Sequence, residues 1–165
     1  MLTDTLCTRC GLCCDGTLFG DVELTGRREA TRLEFLGLDV DGDDADAELL
    51  SLPCRGLHGT RCSVYAHRPA CCRTFECRLL QDAERGALTV DDALARIAEA
   101  KAQVQRVKTL MAGIEPRRGL RLPLEERVAD AIAAAPTSPA GIRRRAALES
   151  AAATLGRTIR TTFLD

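Results

Sequence analysis

Beyond residue 88 the apolar positions fall into a helical rhythm. Leu94, Ile97, Val104, Val107 and Met111 recur three or four residues apart, with Lys101 in the remaining slot. Thr89-Val-Asp-Asp supplies a cap and acids for the first turn, and Gly113 a stop, so the pattern predicts a helix near 89–112. A second helix is expected from Pro123, with Leu124, Val128 and Ile132 on one face, ending before Pro136. Ser138-Pro139 reads as a cap plus first-turn proline and opens a third, to about Leu155 with Gly156 after it. Before residue 81 the pattern is less regular. Val22 and Leu24 suggest a short strand, and Thr25 a cap for a helix over 26–36 that Gly37 ends. Leu49–Pro53 and Cys62–Tyr65 read as short extended pieces around the turn Gly56–Gly59. The expected fold is mainly α: an irregular, metal-stapled cysteine-rich lobe over residues 1–80 with short extended segments, then a helical part over 81–165. The latter packs on the lobe as an extension or as one continuous domain.

Composition sharpens this picture. Among 165 residues, 45% are apolar, but there are four Phe, one Tyr and no Trp, so the core rests on Leu, Val, Ile and Ala. Residues 1–80 carry nine Arg against thirteen acids, and residues 81–165 carry fourteen bases against eleven acids. The net charge of −1 argues against a nucleic-acid partner and gives no reason to expect membrane attraction. No apolar run approaches the roughly 18 residues of a membrane span. All nine cysteines lie in the first 77 residues. The opening MLTDTLCTRC shows no basic segment leading into an apolar one, which points to the cytoplasm. Clustered thiols in a reducing compartment are metal ligands or redox groups more often than bridges, and an odd count leaves one over.

Cys7-x2-Cys10-x2-Cys13-Cys14 is the strongest local signal, because two cysteines separated by two residues can turn both sulfurs onto one metal. Gly11 sits in that turn, where positive φ suits it. Cys13 and Cys14 are neighbours whose side chains diverge, which favours sulfurs directed to two metals, or one ligand and one bystander. Downstream stand Cys54, Cys62, the doublet Cys71-Cys72, and Cys77. Two tetrahedral sulfur sites need eight ligands, one fewer than the chain offers. His58 and His67 are alternative nitrogen ligands. Tyr65 reads as a packed ring with its hydroxyl on a carbonyl. Arg9, Arg55, Arg61, Arg68, Arg73 and Arg78 lie close to cysteines in sequence and are candidates to contact a sulfur cluster. The acidic run from Asp41 to Glu48 lacks the spacing of a calcium loop and reads as a solvated loop. Arg143-Arg144-Arg145 reads as a solvated helix face.

The compound pattern resembles the CxxCxxCC, or YkgJ-type, cysteine-cluster family, described as zinc- or iron-chelating. The match runs over Cys7-Thr-Arg-Cys10-Gly-Leu-Cys13-Cys14, then Cys54, then Cys62-Ser-Val-Tyr65-Ala-His-Arg68-Pro69-Ala-Cys-Cys72-Arg73, then Cys77. Val22-Glu-Leu24-Thr25 leading into a helix belongs to it too, and the whole covers roughly residues 5–80. The resemblance implies metal binding, with Cys7, Cys10, Cys13, Cys14, Cys54, Cys62, Cys72 and Cys77 as ligands and Cys71 outside the set; because Arg68 and Arg73 belong to its pattern, it also makes them the foremost of the arginine candidates.

Two zinc ions in four-cysteine sites are the favoured cofactors. Iron, or a [4Fe–4S] cluster, is the rival, because Cys7-x2-Cys10-x2-Cys13 also resembles three ligands of a ferredoxin run. The expected function is a cytosolic metal-binding protein with a structural or metal-handling role. The alternative is an iron–sulfur redox or methyl-transfer-related enzyme, since a flagellin lysine methylase shares the cysteine motif. No catalytic motif and no glycine-rich cofactor loop is present. Metal ions are the expected partners, with the C-terminal helices as candidates for a protein partner or a homodimer.

Overall fold

The computed structural model of the chain describes residues 2–42, 47–114 and 121–164. The fold is mainly α. Its helices are α1 (Leu2–Cys10), α2 (Arg27–Phe35), α3 (Ala70–Thr74), α4 (Arg78–Glu84), α5 (Val90–Met111), α6 (Leu124–Ala134) and α7 (Pro139–Ile159). The strands are short: β1 (Asp21–Glu23), β2 (Val40–Asp41), β3 (Leu49–Ser51), β4 (Leu57–His58) and β5 (Arg61–Cys62).

The helical part forms where the apolar rhythm predicts it. The Thr89 hydroxyl accepts from the Asp92 amide at 3.1 Å, satisfying one of the first free N–H groups of α5. Ala93, Ile97, Ala100, Val104, Val107 and Met111 form its buried stripe. Ala100, not Lys101, occupies the slot between Ile97 and Val104, since a small side chain fits against the neighbouring helices and an ammonium does not. Lys101 instead reaches the Arg9 carbonyl in the last turn of α1, at 3.0 Å. α5 packs chiefly on α7 and α1. Arg144 leaves the basic run to bind the Leu110 carbonyl at 2.9 Å and the Ala112 carbonyl, closing the α5 C-terminus. So one member of the expected solvated face is a helix cap. The third helix does not stop at Gly156: it runs to Ile159 and a π-helical turn at Arg160–Leu164, because buried Phe163 carries the chain back onto the core.

Two hydrophobic cores result. The larger joins Leu6 of α1 and Leu12 to α4, α5, α6, α7 and Phe163, so the first cysteine segment packs on the helical part. The α1 helix was not legible in the hydrophobic pattern. The smaller core holds Leu24, Ala30, Leu33, Leu38 and Leu50. Leu50 sits in the middle strand of an antiparallel β1-β3-β2 sheet, opposite both Val22 and Val40. Helix α2 is entered through Gly26 at φ +77°, not through a Thr25 cap. The Thr25 amide donates to Glu29 Oε2 at 2.8 Å instead. Cys62 pairs with Leu57 in the β4–β5 hairpin, and Tyr65–His67 forms a 3₁₀ turn where extended chain was expected. Most of the acidic run, residues 43–46, lies outside the described residues. Of its flanks, Asp41 accepts from the Ser51 hydroxyl and Glu48 pairs with Arg27 at 3.0 Å.

Gly16 locks the two parts together just after the second cysteine pair. Its φ is +77°, its carbonyl accepts from Leu124 N at 2.8 Å, and a Cβ there would lie 3.2 Å from both Pro123 Cα and Pro53 Cγ. Gly26 has the same φ with nothing within 4 Å. Gly16→Ala is therefore expected to destabilise the fold by about 2 kcal/mol and Gly26→Ala by about 1 kcal/mol, as read from urea unfolding midpoints. Equal losses at the two sites would refute the close packing at Gly16.

Candidate metal centre

Five segments deliver the thiols. Cys7 and Cys10 lie one turn apart on α1, which ends at Gly11 with φ +78°. A tight turn follows, with the Cys14 and Asp15 amides both donating to the Gly11 carbonyl at 3.0 and 3.1 Å. Leu12, 1% exposed, drives into the larger core and fixes how that turn leaves the helix. Cys54 is held against the doublet by its own amide, which donates to the Cys14 carbonyl at 2.8 Å. The β4–β5 hairpin carrying Cys62 is tied to α1 by the Thr60 hydroxyl on the Thr8 carbonyl. Cys71 and Cys72 lie on α3, and Cys77 immediately precedes α4. All nine cysteines are free thiols.

Electrostatic interaction sorts these thiols into two neighbourhoods. Cys77 acts on Cys7, on Cys10 and on Cys13, and Cys7 and Cys10 act on Cys13. Cys54 and Cys62 act on Cys14, and Cys14 and Cys54 act on Cys72, which also shares a hydrogen bond with Cys71. Packing divides the thiols along the same line: Cys10 and Cys77 lie against the larger core, Cys54 and Cys71 against the smaller. The doublet spans the two: Cys13 feels Cys10 and Cys77 more than Cys14, and Cys14 feels Cys54 and Cys62 more than Cys10. Cys7, Cys10, Cys13 and Cys77 thus interact with one another, as do Cys14, Cys54, Cys62 and Cys72, and the Cys13–Cys14 doublet joins the two groups. Cys71 sits beside the second group.

These neighbourhoods are not coordination shells as they stand. Among the described residues, no three His, Cys, Asp or Glu side chains are arranged to hold a metal ion. The donor set nevertheless suits a soft or borderline cation: sulfur alone, four thiols to a neighbourhood, with the exposed imidazoles of His58 and His67 left over. Burial pushes the thiols toward the protonated form, raising Cys10 to about 11 and Cys14 to about 12, and the interaction of thiol with thiol adds to it. Cys7, Cys13, Cys54, Cys72 and Cys77 shift the same way, with burial again the main cause. A neutral thiol is a poor nucleophile and a poor ligand, so these sulfurs are held in reserve for a cation that can displace their protons.

The arginines divide more sharply than their sequence positions suggest. Arg68 alone among the two favoured candidates reaches the thiol segments, through the Cys72 carbonyl at 3.5 Å. The charge of Arg73 acts on Glu29 instead. Arg55 pairs with Asp39 at 2.5 Å and Arg78 with Asp82 at 3.7 Å. Tyr65 is not a packed core ring: it is 47% exposed, and the Arg68 guanidinium lies over it at 3.7 Å from the centroid.

The chain matches, over residues 6–104, the family model described as "Putative zinc- or iron-chelating domain". The chain belongs to the CxxCxxCC family. The match passes through most of α5, beyond the cysteine-bearing stretch on which the resemblance was first read, consistent with α1 packing on that helix. No curated protein and no solved structure matches the chain.

One residue of the centre escapes sequence reasoning. Glu29 of α2 accepts from Thr25 N at 2.8 Å and, across the lobe, from Ala70 N at 2.9 Å, capping the helix that carries Cys71 and Cys72. Partial burial opposes its ionisation, but these two N–H groups and the charges of Arg32 and Arg73 outweigh it and hold the carboxyl below its usual range. The only available signal was a glutamate four residues after Thr25, half of a capping pattern. A carboxyl with a lowered folded-state value stabilises the fold above its unfolded value, and loses that contribution as pH falls through the folded one. Glu29→Gln is expected to cost about 1–2 kcal/mol at pH 7, and to flatten the stability loss of the wild type between about pH 5 and pH 3. Parallel acid titrations of unfolding free energy that stay superimposed would remove this role.

Proposed function

We propose that this protein binds two metal ions, preferentially zinc, in two four-thiolate sites: Cys7, Cys10, Cys13 and Cys77 in the first, and Cys14, Cys54, Cys62 and Cys72 in the second. The observation that supports this reading is the unequal coupling of the doublet, Cys13 chiefly with Cys10 and Cys77 and Cys14 chiefly with Cys54 and Cys62; consecutive cysteines so divided would supply one ligand to each of two ions. Zinc suits closed all-sulfur sites. Ions bound there would crosslink segments as distant as Cys7 and Cys77, or Cys14 and Cys72, so the role assigned is structural with respect to the lobe, in a reducing compartment such as the cytoplasm. The small core beneath the second site has five buried residues, so its apolar burial is modest and a metal crosslink adds stability where it is most needed.

A second reading attaches to the first site alone. Three of its thiols come from one C-x2-C-x2-C run and the fourth from a distant segment, the arrangement in which iron–sulfur clusters are also held. A site of that kind would give the protein electron-transfer capacity, and with it the redox alternative.

Two measurements test these readings. Reduced, metal-free protein titrated with zinc in weakly buffered solution at pH 7 should take up two ions per chain. It should release close to eight protons, because the thiols that bind are protonated beforehand. Apparent affinity should fall steeply as pH is lowered. Cys71→Ser should leave the stoichiometry at two, whereas Cys14→Ser should reduce it. Fewer than four protons released, or unaltered uptake by Cys14→Ser, would sink the two-site reading. For the second reading, anaerobically isolated protein should be brown, with visible absorption that dithionite bleaches. Colourless protein carrying two zinc ions decides against it.

A further inference from the structure

Helix α2 buries Ala30 and Leu33 in the smaller core and turns the stripe of Arg28, Thr31 and Phe35, at i, i+3 and i+7, to solvent. Phe35 is 93% exposed, and Leu36 beside it is exposed too. With four Phe and no Trp in the chain, a ring left almost wholly in water is apolar area that the core does not use. Arg28 has no ion pair among the described residues.

A cleft of about 580 Å³ opens next to this stripe, at Glu34. It runs along β2 and over the outer face of the sheet to the start of α6. Alternation along β3 explains its floor. Leu50 points into the smaller core, so Leu49 and Ser51 point the other way, and Leu38, Leu52 and Leu122 add apolar lining. The rim is acidic. Asp21, Glu34, Asp39, Asp41 and Glu126 face two guanidiniums, those of Arg55 and Arg121, and both of these sit on Asp39, at 2.5 and 3.9 Å. No ion pair among the described residues reaches Asp21, Glu34 or Glu126. The cleft therefore offers apolar area to a side chain and carboxylates to a cation.

We infer that this cleft receives Phe35 of a second copy of the chain, with Arg28 of that copy against its acidic rim. The α2 stripe has both features that the cleft calls for, an unburied ring and, two turns away, a cation without an ion pair. Ring and cleft adjoin on one surface, because Glu34 rims the cleft and Phe35 follows it. A contact in which each copy's Phe35 enters the other's cleft is isologous and closes as a two-fold dimer. The net charge of −1 sets little repulsion against it. Helices α6 and α7, the candidates named from the sequence, expose one large apolar side chain, Ile142, among the described residues. No cysteine lines the cleft, so the inference stands apart from the two-site reading.

The test is sedimentation velocity of the full reduced chain, as isolated, over a concentration series. Wild type should pass from monomer to dimer as concentration rises, and salt should weaken the dimer by screening the Arg28 contact. Phe35→Ser should raise the dimer dissociation constant about a hundredfold and leave the circular dichroism unchanged, because the ring is not part of its own chain's core. Asp21→Lys combined with Glu126→Lys should weaken association as well. Mixing that variant with Phe35→Ser should restore part of it, since one intact ring then meets one intact cleft. A wild-type chain still monomeric at about 200 μM overturns the inference. So does a monomer that holds an oligo-arginine peptide, which would give the cleft to a basic partner. A dimer that Phe35→Ser leaves intact overturns it too, and loss of that dimer in Ile142→Ser would move the interface to α7.

Discussion

Two thiols on consecutive residues cannot both point the same way unless the backbone between them is distorted, and in this chain the backbone is fixed on either side. Leu12 is buried in the larger core just before the doublet, and Gly16 is wedged between Pro53 and Pro123 just after it. Between these anchors Cys13 interacts chiefly with Cys10 and Cys77, and Cys14 chiefly with Cys54 and Cys62. Much of the cysteine-bearing part follows from that bifurcation. Each thiol neighbourhood rests on its own hydrophobic core, and the doublet is the seam where the two meet.

The cores differ in what they ask of the thiols. The larger is a helix-on-helix assembly in which α5 packs on α7 and α1, and its capped helix ends and Leu-rich interior stand on ordinary packing. The smaller is a three-stranded sheet of very short strands under one nine-residue helix, with five buried residues. Strands of two and three residues bring few ladder hydrogen bonds and little apolar area. Polar links make up part of the difference: Glu29 ties α2 to α3, Arg32 reaches the His67 carbonyl at 3.4 Å, and Arg27 pairs with Glu48. That balance is why a metal crosslink is assigned its structural role in this lobe.

Burial sets the thiols' resting chemistry. Cys7, Cys10, Cys13, Cys14, Cys54, Cys72 and Cys77 are pushed toward the protonated form, which keeps buried charge low and makes ligand formation a proton-coupled event.

The sequence by itself determined the helical part. The spacing of Ile97, Val104, Val107 and Met111 names the buried stripe of α5, and Thr89, Ser138 and Pro139 mark helix starts where the first amides need partners. These are local signals, and local signals survive in one dimension. The cysteine list and the family were legible for a similar reason, since ligand type and spacing are properties of the chain. What only the tertiary structure decided is which thiols come under one another's influence: Cys77 acts on Cys7, Cys10 and Cys13, and Cys54 and Cys62 on Cys14. It also decided that Glu29 caps a helix about 40 residues away, that Ala100 and not Lys101 faces the core, and that the helix passes Gly156 because Phe163 is buried beyond it. Each depends on a contact between segments far apart in the chain, and the energy of such a contact is set by the partner across the gap, which no local pattern encodes.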